Sequence, residues 1–177
     1  MDLTTTAKPS KWVTQYSYLL PHSGPILDIA SGAGRHTCYL LNKGYTVVAI
    51  DKNVSPLQGM KTPLLFPVQV DLEADAPWPF KPGSFSGIIV TNYLYRPIFE
   101  NIIEGLEKDG VLIYETFAKG NEKFGKPHNP DYLLKPGELI RFTLDKLHIL
   151  AYEDLTIAWP KPARLQRICA KKSTTIR

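Results

Sequence analysis

Three aspartates and a glycine pair carry the clearest chemical signal in this chain. The run Leu27-Asp28-Ile29-Ala30-Ser31-Gly32-Ala33-Gly34-Arg35 passes from apolar residues through a glycine turn into a helix-forming stretch. Gly32 and Gly34 permit a tight turn and let a ligand approach the main chain without meeting a Cβ. The following helix offers free backbone amides at its start. Asp51 closes the next apolar run and Asp71 the one after it. Each acid falls at or near the C-terminal end of a predicted strand. In a doubly wound sheet that edge binds ligands, and an acid after the second strand accepts hydrogen bonds from ribose hydroxyls. The pattern points to a nucleoside-containing ligand.

The same residues narrow its class. Thr37 stands where a dinucleotide-binding turn has its third glycine. Asp28 places a negative charge before the turn, which suits a ligand with positive charge, such as a sulfonium with an amino-acid tail. No phosphate-loop motif Gly-x-x-x-x-Gly-Lys-Ser/Thr occurs, which excludes that nucleotide-hydrolase class.

The elements that must position these residues follow from Gly and Pro punctuation. Lys11 to Leu20 has the spacing of a short amphipathic helix. Strands are predicted at Ile26 to Ala30, Thr46 to Ile50, Leu64 to Leu72, within Phe85 to Leu94, and at Val111 to Phe117. Helices are predicted at Arg35 to Asn42, weakly at Asn53 to Met60, from Pro97 to about Lys108, and at Gly137 to Thr143. Asp109-Gly110 reads as a turn. Ile149 to Ile157 and Arg164 to Ala170 close the chain as two strands around Trp159-Pro160-Lys161-Pro162. Alternating strands and helices imply right-handed βαβ units in a parallel sheet. The expected fold is a Rossmann-like, doubly wound α/β sheet of seven strands, mostly parallel, with a C-terminal antiparallel hairpin. Residues 1–177 are expected to form one domain, with a helical region over 1–24 and an insertion over 118–136.

Composition agrees with a globular chain: 44% hydrophobic and 21% charged residues over 177 positions can bury a core. Two isolated cysteines, Cys38 and Cys169, supply neither a disulfide framework nor a zinc-ligand spacing, and no metal site is expected. No apolar stretch approaches the ~20 residues that span a bilayer, and Met1 to Ser10 lacks the apolar core of a signal peptide. A cytoplasmic location without membrane association is expected. Net charge is +4, with nine basic and four acidic side chains from Lys135 onward. The series Lys119, Lys123, Lys126, Lys135 is interrupted by Glu122 and Asp131, so it makes a poor phosphate track. Nucleic acid is not the expected partner.

The run Ile26 to Gly34 resembles motif I of the class I S-adenosylmethionine-dependent methyltransferases, and the strand order resembles that family over nearly the whole chain. Gly44-Tyr45-Thr46-Val47-Val48-Ala49-Ile50-Asp51-Lys52-Asn53 is similar to the second strand of the tellurite-resistance branch and related small methyltransferases. The resemblance implies S-adenosyl-L-methionine as cofactor. By it, Ala30, Gly32 and Gly34 would line the methionine portion, with Asp28 ordering the loop and the amino group. Asp51 would hold the ribose beside Lys52, and Asp71 and the Leu72 amide would meet the adenine. Thr91-Asn92-Tyr93 would occupy motif IV, facing cofactor and acceptor. Two departures stand out: Ser31 replaces the usual Gly or Cys, and motif IV lacks the Asn/Asp-Pro-Pro-Tyr of enzymes that methylate planar amide or exocyclic nitrogens.

Methyl transfer from a sulfonium needs a general base only where the acceptor carries a proton. Glu115, at the end of the fifth strand, is the first candidate, with Tyr93, His36 and His128 behind it. Tyr95 and Arg96 could wall an acceptor pocket, with Arg96 facing a carboxylate or phosphate. The 118–136 segment has apolar anchors and glycine hinges and reads as a lid presenting Glu122, His128 and Asn129 to the acceptor. The expected activity is methyl transfer to a small-molecule acceptor. The alternatives are an RNA or protein acceptor, or a nucleoside-binding module without catalysis. The oligomeric state is not legible.

Overall fold

The order of elements follows the alternation of the sequence: α1 (Lys11–Tyr16), β1 (Ile26–Ile29), α2 (Arg35–Asn42), β2 (Val47–Asp51), β3 (Leu65–Gln69), β4 (Phe85–Thr91), α3 (Phe99–Gly105), β5 (Leu106–Phe117), α4 (Glu138–Thr143), β6 (His148–Ile157) and β7 (Ala163–Lys171). The computed structural model describes residues 7–74, 77–159 and 161–173. Pro160 of the closing turn lies outside them. One sheet holds all seven strands in the order β3-β2-β1-β4-β5-β7-β6. The pairs β2–β3, β1–β2, β1–β4 and β4–β5 are parallel. β7 runs antiparallel to both β5 and β6, so the expected hairpin inserts its second strand beside β5.

Both faces are covered, so β1 and β4 are buried along their whole length. On one face Leu27, Ile29, Ile88, Leu112 and Tyr114 pack against α3 and α4 through Ile102 and Leu139. On the other, Ile26, Val47, Ile89 and Ile113 pack against α1 and α2 through Trp12 and Leu40. Residues alternate between these faces along a strand. That rule decides where Asp28 and Glu115 point: both turn toward the α1–α2 face.

Several boundaries differ from the sequence-based reading. α1 stops at Tyr16 and continues as a 3-10 turn over Ser17–Leu19. The weak helix at 53–60 is a 3-10 turn at Ser55–Leu57. β1 stops at Ile29 because Ala30 turns left-handed, at φ 53°, and β3 stops at Gln69, two residues before Asp71. The helix after Pro97 begins with a 3-10 turn and ends at Gly105, not near Lys108. Leu106 already pairs with Phe85 across the sheet. Asp109, at φ 65°, stays within β5, its amide donating to the Lys172 carbonyl at 2.8 Å. Strand pairing here overrides a local helix preference.

The 118–136 segment carries 3-10 turns at Asn121–Lys123 and Pro130–Tyr132. Its base is closed by Lys119 N–H to the Leu134 carbonyl at 2.9 Å and by Leu134 N–H to the Phe117 carbonyl at 3.0 Å. No helix among the described residues is long and apolar enough to cross a membrane.

Candidate functional site

The glycine turn after β1 is built by three left-handed residues, Ala30, Gly32 and Gly34, at φ 53°, 53° and 76°. Gly34 is required twice over. Besides its backbone angle, a Cβ there would lie 2.5 Å from Leu57 Cδ2 and 2.9 Å from Met60 Cε. Around Gly32, by contrast, a Cβ would meet nothing within 4 Å, so open space lies over the main chain at that position. The Gly32 amide donates to Asp51 Oδ2 at 2.8 Å, and Asp51 Oδ1 accepts from Asn53 N–H at 3.0 Å. Each carboxylate oxygen retains acceptor capacity.

Asp28 is buried and accepts from the Thr37 hydroxyl at 2.6 Å. Burial raises its carboxyl to about 6, against the opposing effect of the Thr37 bond. Asp28 therefore ties β1 to α2 beneath the turn. The lining of neither cavity described below includes it. Thr37, which replaces a dinucleotide glycine, is the partner that makes this tie.

Beside the turn, Ala30, Asp51, Lys52, Asp71, Leu72 and Tyr93 enclose a crevice of about 180 Å³. The acids predicted from three successive strands thus separate: Asp51 and Asp71 line the crevice, and Asp28 supports it from below. The donor set fits the expected cofactor. Three carboxylates, those of Asp51, Asp71 and Glu73, line the crevice, open space covers Gly32, and the buried Ser31 hydroxyl has no hydrogen-bond partner among the described residues.

A second, larger cavity of about 580 Å³ lies next to it. Asn92, Tyr93, Phe117, His128, Asn129 and Tyr132 are among its lining residues. Tyr93 lines both cavities. Burial, together with the charges of Glu73 and Asp71, pushes the Tyr93 phenol up. It remains a hydrogen-bond donor at neutral pH, which is unsuited to the role of general base. Asn92, expected on the cofactor, lines the larger cavity instead, at φ 53°. His128 and Asn129, expected to face the acceptor, line the larger cavity.

Other expectations are corrected. Glu115 is buried on the α1–α2 face. It accepts from Ser10 Oγ at 2.7 Å through Oε1 and from Arg167 Nη1 at 3.1 Å through Oε2. Arg167 also pairs with Glu153 at 2.7 Å and lies 5.0 Å from the Trp12 ring centre. The carboxylate is thus committed to anchoring the N-terminal segment, and it lines neither cavity. His36 joins the same cluster. Its Nε2 accepts from Ser10 N–H at 3.1 Å, so Nδ1 carries the proton and donates to Thr91 Oγ1 at 3.2 Å. Burial and the neighbouring Arg35 lower His36 to about 3, so it stays neutral. Thr91 is held by this bond rather than turned into either cavity.

Arg96 lines neither cavity and is engaged by the chain itself. Its Nε and Nη2 hold Glu138 at 2.6 and 3.0 Å, and Nη1 and Nη2 donate to the Asp131 and Leu133 carbonyls at 2.7 and 3.0 Å. Tyr95 packs against the core rather than into the cavity. Glu122 folds onto its own turn, accepting from Gly120 N–H at 2.8 Å. The sequence reading missed Lys126, Phe117 and Tyr132 as cavity-lining residues. Phe117 carried a usable signal, since it closes the strand next to motif IV. Tyr132 carries no such signal, and only the folded loop shows it lining the cavity.

No family model matches the chain. Among curated proteins it is 25% identical over 132 residues to YqeM of Bacillus subtilis (strain 168), a protein provisionally named a methyltransferase. The match takes in 66% of this chain, which spans about half (52%) of the relative's length. Among solved structures it superimposes on TehB of Haemophilus influenzae with a TM-score of 0.73 at 18% identity, covering 96% of this chain and 64% of TehB. An S-adenosylmethionine-dependent methyltransferase of Methanosarcina mazei gives 0.69 at 15% identity, covering 96% of this chain and all (100%) of the other. The 1,6-didemethyltoxoflavin-N1-methyltransferase of Burkholderia thailandensis, solved with its acceptor and S-adenosylhomocysteine, gives 0.63 at 17% identity, covering 92% and 76% of the two chains. The fold is that of the S-adenosylmethionine-dependent methyltransferases.

Proposed function

We propose that this chain, with its methyltransferase fold, binds S-adenosyl-L-methionine in the crevice beside Asp51 and directs methyl transfer to a small-molecule acceptor in the adjoining cavity. The observation that carries the reading is the shared wall. Tyr93 belongs to both a crevice lined by three carboxylates and a 580 Å³ cavity in the size range of small-molecule sites, roughly 300–1,000 Å³. A neighbour that holds a small acceptor together with S-adenosylhomocysteine supports the acceptor class.

When bound, the cofactor supplies a methyl group already activated on a sulfonium. The chain's own residues bind and orient. Asp51 would accept from the ribose hydroxyls while keeping its bond to Gly32. Asp71 and the Leu72 amide would meet the adenine, with Lys52 alongside. Ala30, Gly32 and Gly34 shape the turn that receives the amino-acid end, and the Ser31 hydroxyl offers it a buried hydrogen bond. Asp28 keeps the turn seated on α2. Holding two reactants in line can supply up to about 7–11 kcal/mol of the barrier reduction. Among the described residues no carboxylate lines the acceptor cavity, so a proton on the acceptor would pass to His128 or to solvent. The 118–136 segment would close over the acceptor as a lid hinged at its pinned base.

Isothermal titration with S-adenosylhomocysteine and with NAD tests the reading. Heat from S-adenosylhomocysteine alone is the expected result; heat from NAD alone would overturn it.

A further inference from the structure

The acceptor cavity has a chemical bias of its own. Its apolar walls come from Tyr93, Leu94, Phe117, Pro127 and Tyr132. Three of these five are aromatic and present flat faces. Its charged lining residue is a cation, Lys126, and among the described residues no Asp or Glu lines it.

The acids of the surrounding elements are engaged or set aside. Glu138 holds Arg96, Glu122 holds the Gly120 amide, and Glu115 holds Ser10 and Arg167 on the opposite face of the sheet. Glu73 lines the cofactor crevice, outside the lining of the acceptor cavity, and is engaged there by a cavity wall: it accepts from the Tyr132 hydroxyl at 3.4 Å. Asp131 precedes Tyr132 on an exposed turn and lies outside the lining. The Lys126 ammonium makes no ion pair among the described residues. The backbone beneath it is fixed, because the Lys126 carbonyl accepts from Asn121 Nδ2 at 3.2 Å while Asn121 Oδ1 accepts from Arg164 N–H at 3.0 Å. A cation is therefore held at the mouth of an aromatic slot with no counter-charge among its lining residues.

Building on the methyltransferase reading of this site, we propose that the acceptor is a flat aromatic molecule bearing an anionic group, its ring against Tyr93, Phe117 and Tyr132 and its anion at Lys126. Aromatic rings gain from offset or edge contacts with such walls. An anion gains a charge-assisted hydrogen bond from the ammonium. A cationic amine of the same shape would face Lys126 with no carboxylate to receive it, and like charges set against each other are rejected.

The test is calorimetric titration of the protein saturated with S-adenosylhomocysteine. The probes are 4-hydroxybenzoate, 4-mercaptobenzoate and 6-hydroxy-2-naphthoate, against 4-hydroxybenzylamine and acetate. At least one aromatic anion should bind about tenfold or more tighter than both the amine and acetate, as expected for one charge-assisted bond. Lys126→Met should bring anion and amine within about threefold of each other while leaving S-adenosylhomocysteine affinity unchanged. Phe117→Ala should weaken the anion and the amine alike. A protein that binds S-adenosylhomocysteine but no aromatic anion, or that prefers the amine, overturns the acceptor class. An unchanged preference in Lys126→Met overturns the assignment of the cation. Failure to bind S-adenosylhomocysteine at all overturns the methyltransferase reading, and this inference with it.

Discussion

The Asp51 carboxylate accepts the Gly32 amide hydrogen at 2.8 Å, joining the end of β2 to the glycine turn after β1. This bond ties one wall of the crevice to the turn. It also explains why an acid and a glycine on separate strands act as one unit.

Gly34 closes the same turn under tighter constraints. Gly34→Ala meets both a left-handed backbone, at φ 76°, and the side chains of Leu57 and Met60. Gly44→Ala meets only the backbone penalty, at φ 82°, with nothing within 4 Å. We expect Gly34→Ala to cost about 3 kcal/mol and Gly44→Ala about 1–2 kcal/mol, since overpacking adds to the left-handed penalty. Urea unfolding measures both. Equal losses would show that the turn yields freely.

Much of this was legible in the sequence, for identifiable reasons. Apolar runs ended by Gly or Asp gave the parallel strands, and the spacing of Asp51 and Asp71 gave the crevice. The role of Glu115 was not legible. Its position at the edge of β5 suggested a site, but the pleat turns it to the α1–α2 face, where Ser10 and Arg167 claim it over sequence separations of 105 and 52 residues. Arg96 failed as an acceptor ligand for the same reason: its partners Glu138 and the loop carbonyls are distant in sequence. Local pattern shows where a residue stands along its strand. It does not show which distant side chain reaches it first.

Glu115 should therefore act on stability. Glu115→Ala removes the Ser10 bond and one of the two carboxylate partners of Arg167, which keeps Glu153, and should cost about 1–3 kcal/mol. Ser10→Ala removes the helix cap and one bond to the carboxylate, and should cost about 1 kcal/mol. Thermal unfolding checks both. A Glu115→Ala protein as stable as the parent would contradict the anchor role.

Two buried groups of the α1–α2 face pull stability in opposite directions with pH. Asp28 is raised from 3.8 to about 6, so its contribution is full below its unfolded value and fades as pH rises through about 6. His36 is lowered from 6.5 to about 3, so its contribution is lost as pH falls below about 6.5. Asp28→Asn removes the first effect and keeps the second. Between about pH 6 and 4 the variant should lose stability faster than wild type, by up to about 1.4 kcal/mol per pH unit. Urea titrations across that range give the slopes; parallel slopes would contradict the burial of an ionisable Asp28.

The proposed lid makes a separate prediction. Its base is hydrogen-bonded to β5 and buried through Leu133 and Leu134, whereas Lys126, His128 and Asn129 at its tip are exposed. Hydrogen exchange should be slow at 133–134 in the free protein. Adding S-adenosylhomocysteine with 4-hydroxybenzoate should slow exchange across 126–132. Protection that rises only at the glycine turn would show that the segment does not close.

The most direct test of the account is the S-adenosylhomocysteine affinity of wild type, Asp51→Asn, Asp51→Ala and Glu115→Gln, measured side by side by calorimetry. Asp51→Asn keeps an acceptor for the Gly32 amide, so its loss isolates the carboxylate's charge, while Asp51→Ala also frees the turn. Charged hydrogen bonds contribute roughly 1.5–3 kcal/mol each. Asp51→Asn should therefore weaken binding by about tenfold or more, Asp51→Ala by more still, and Glu115→Gln by less than about twofold. Wild-type affinity in both Asp51 variants, or a larger loss at Glu115, would contradict it.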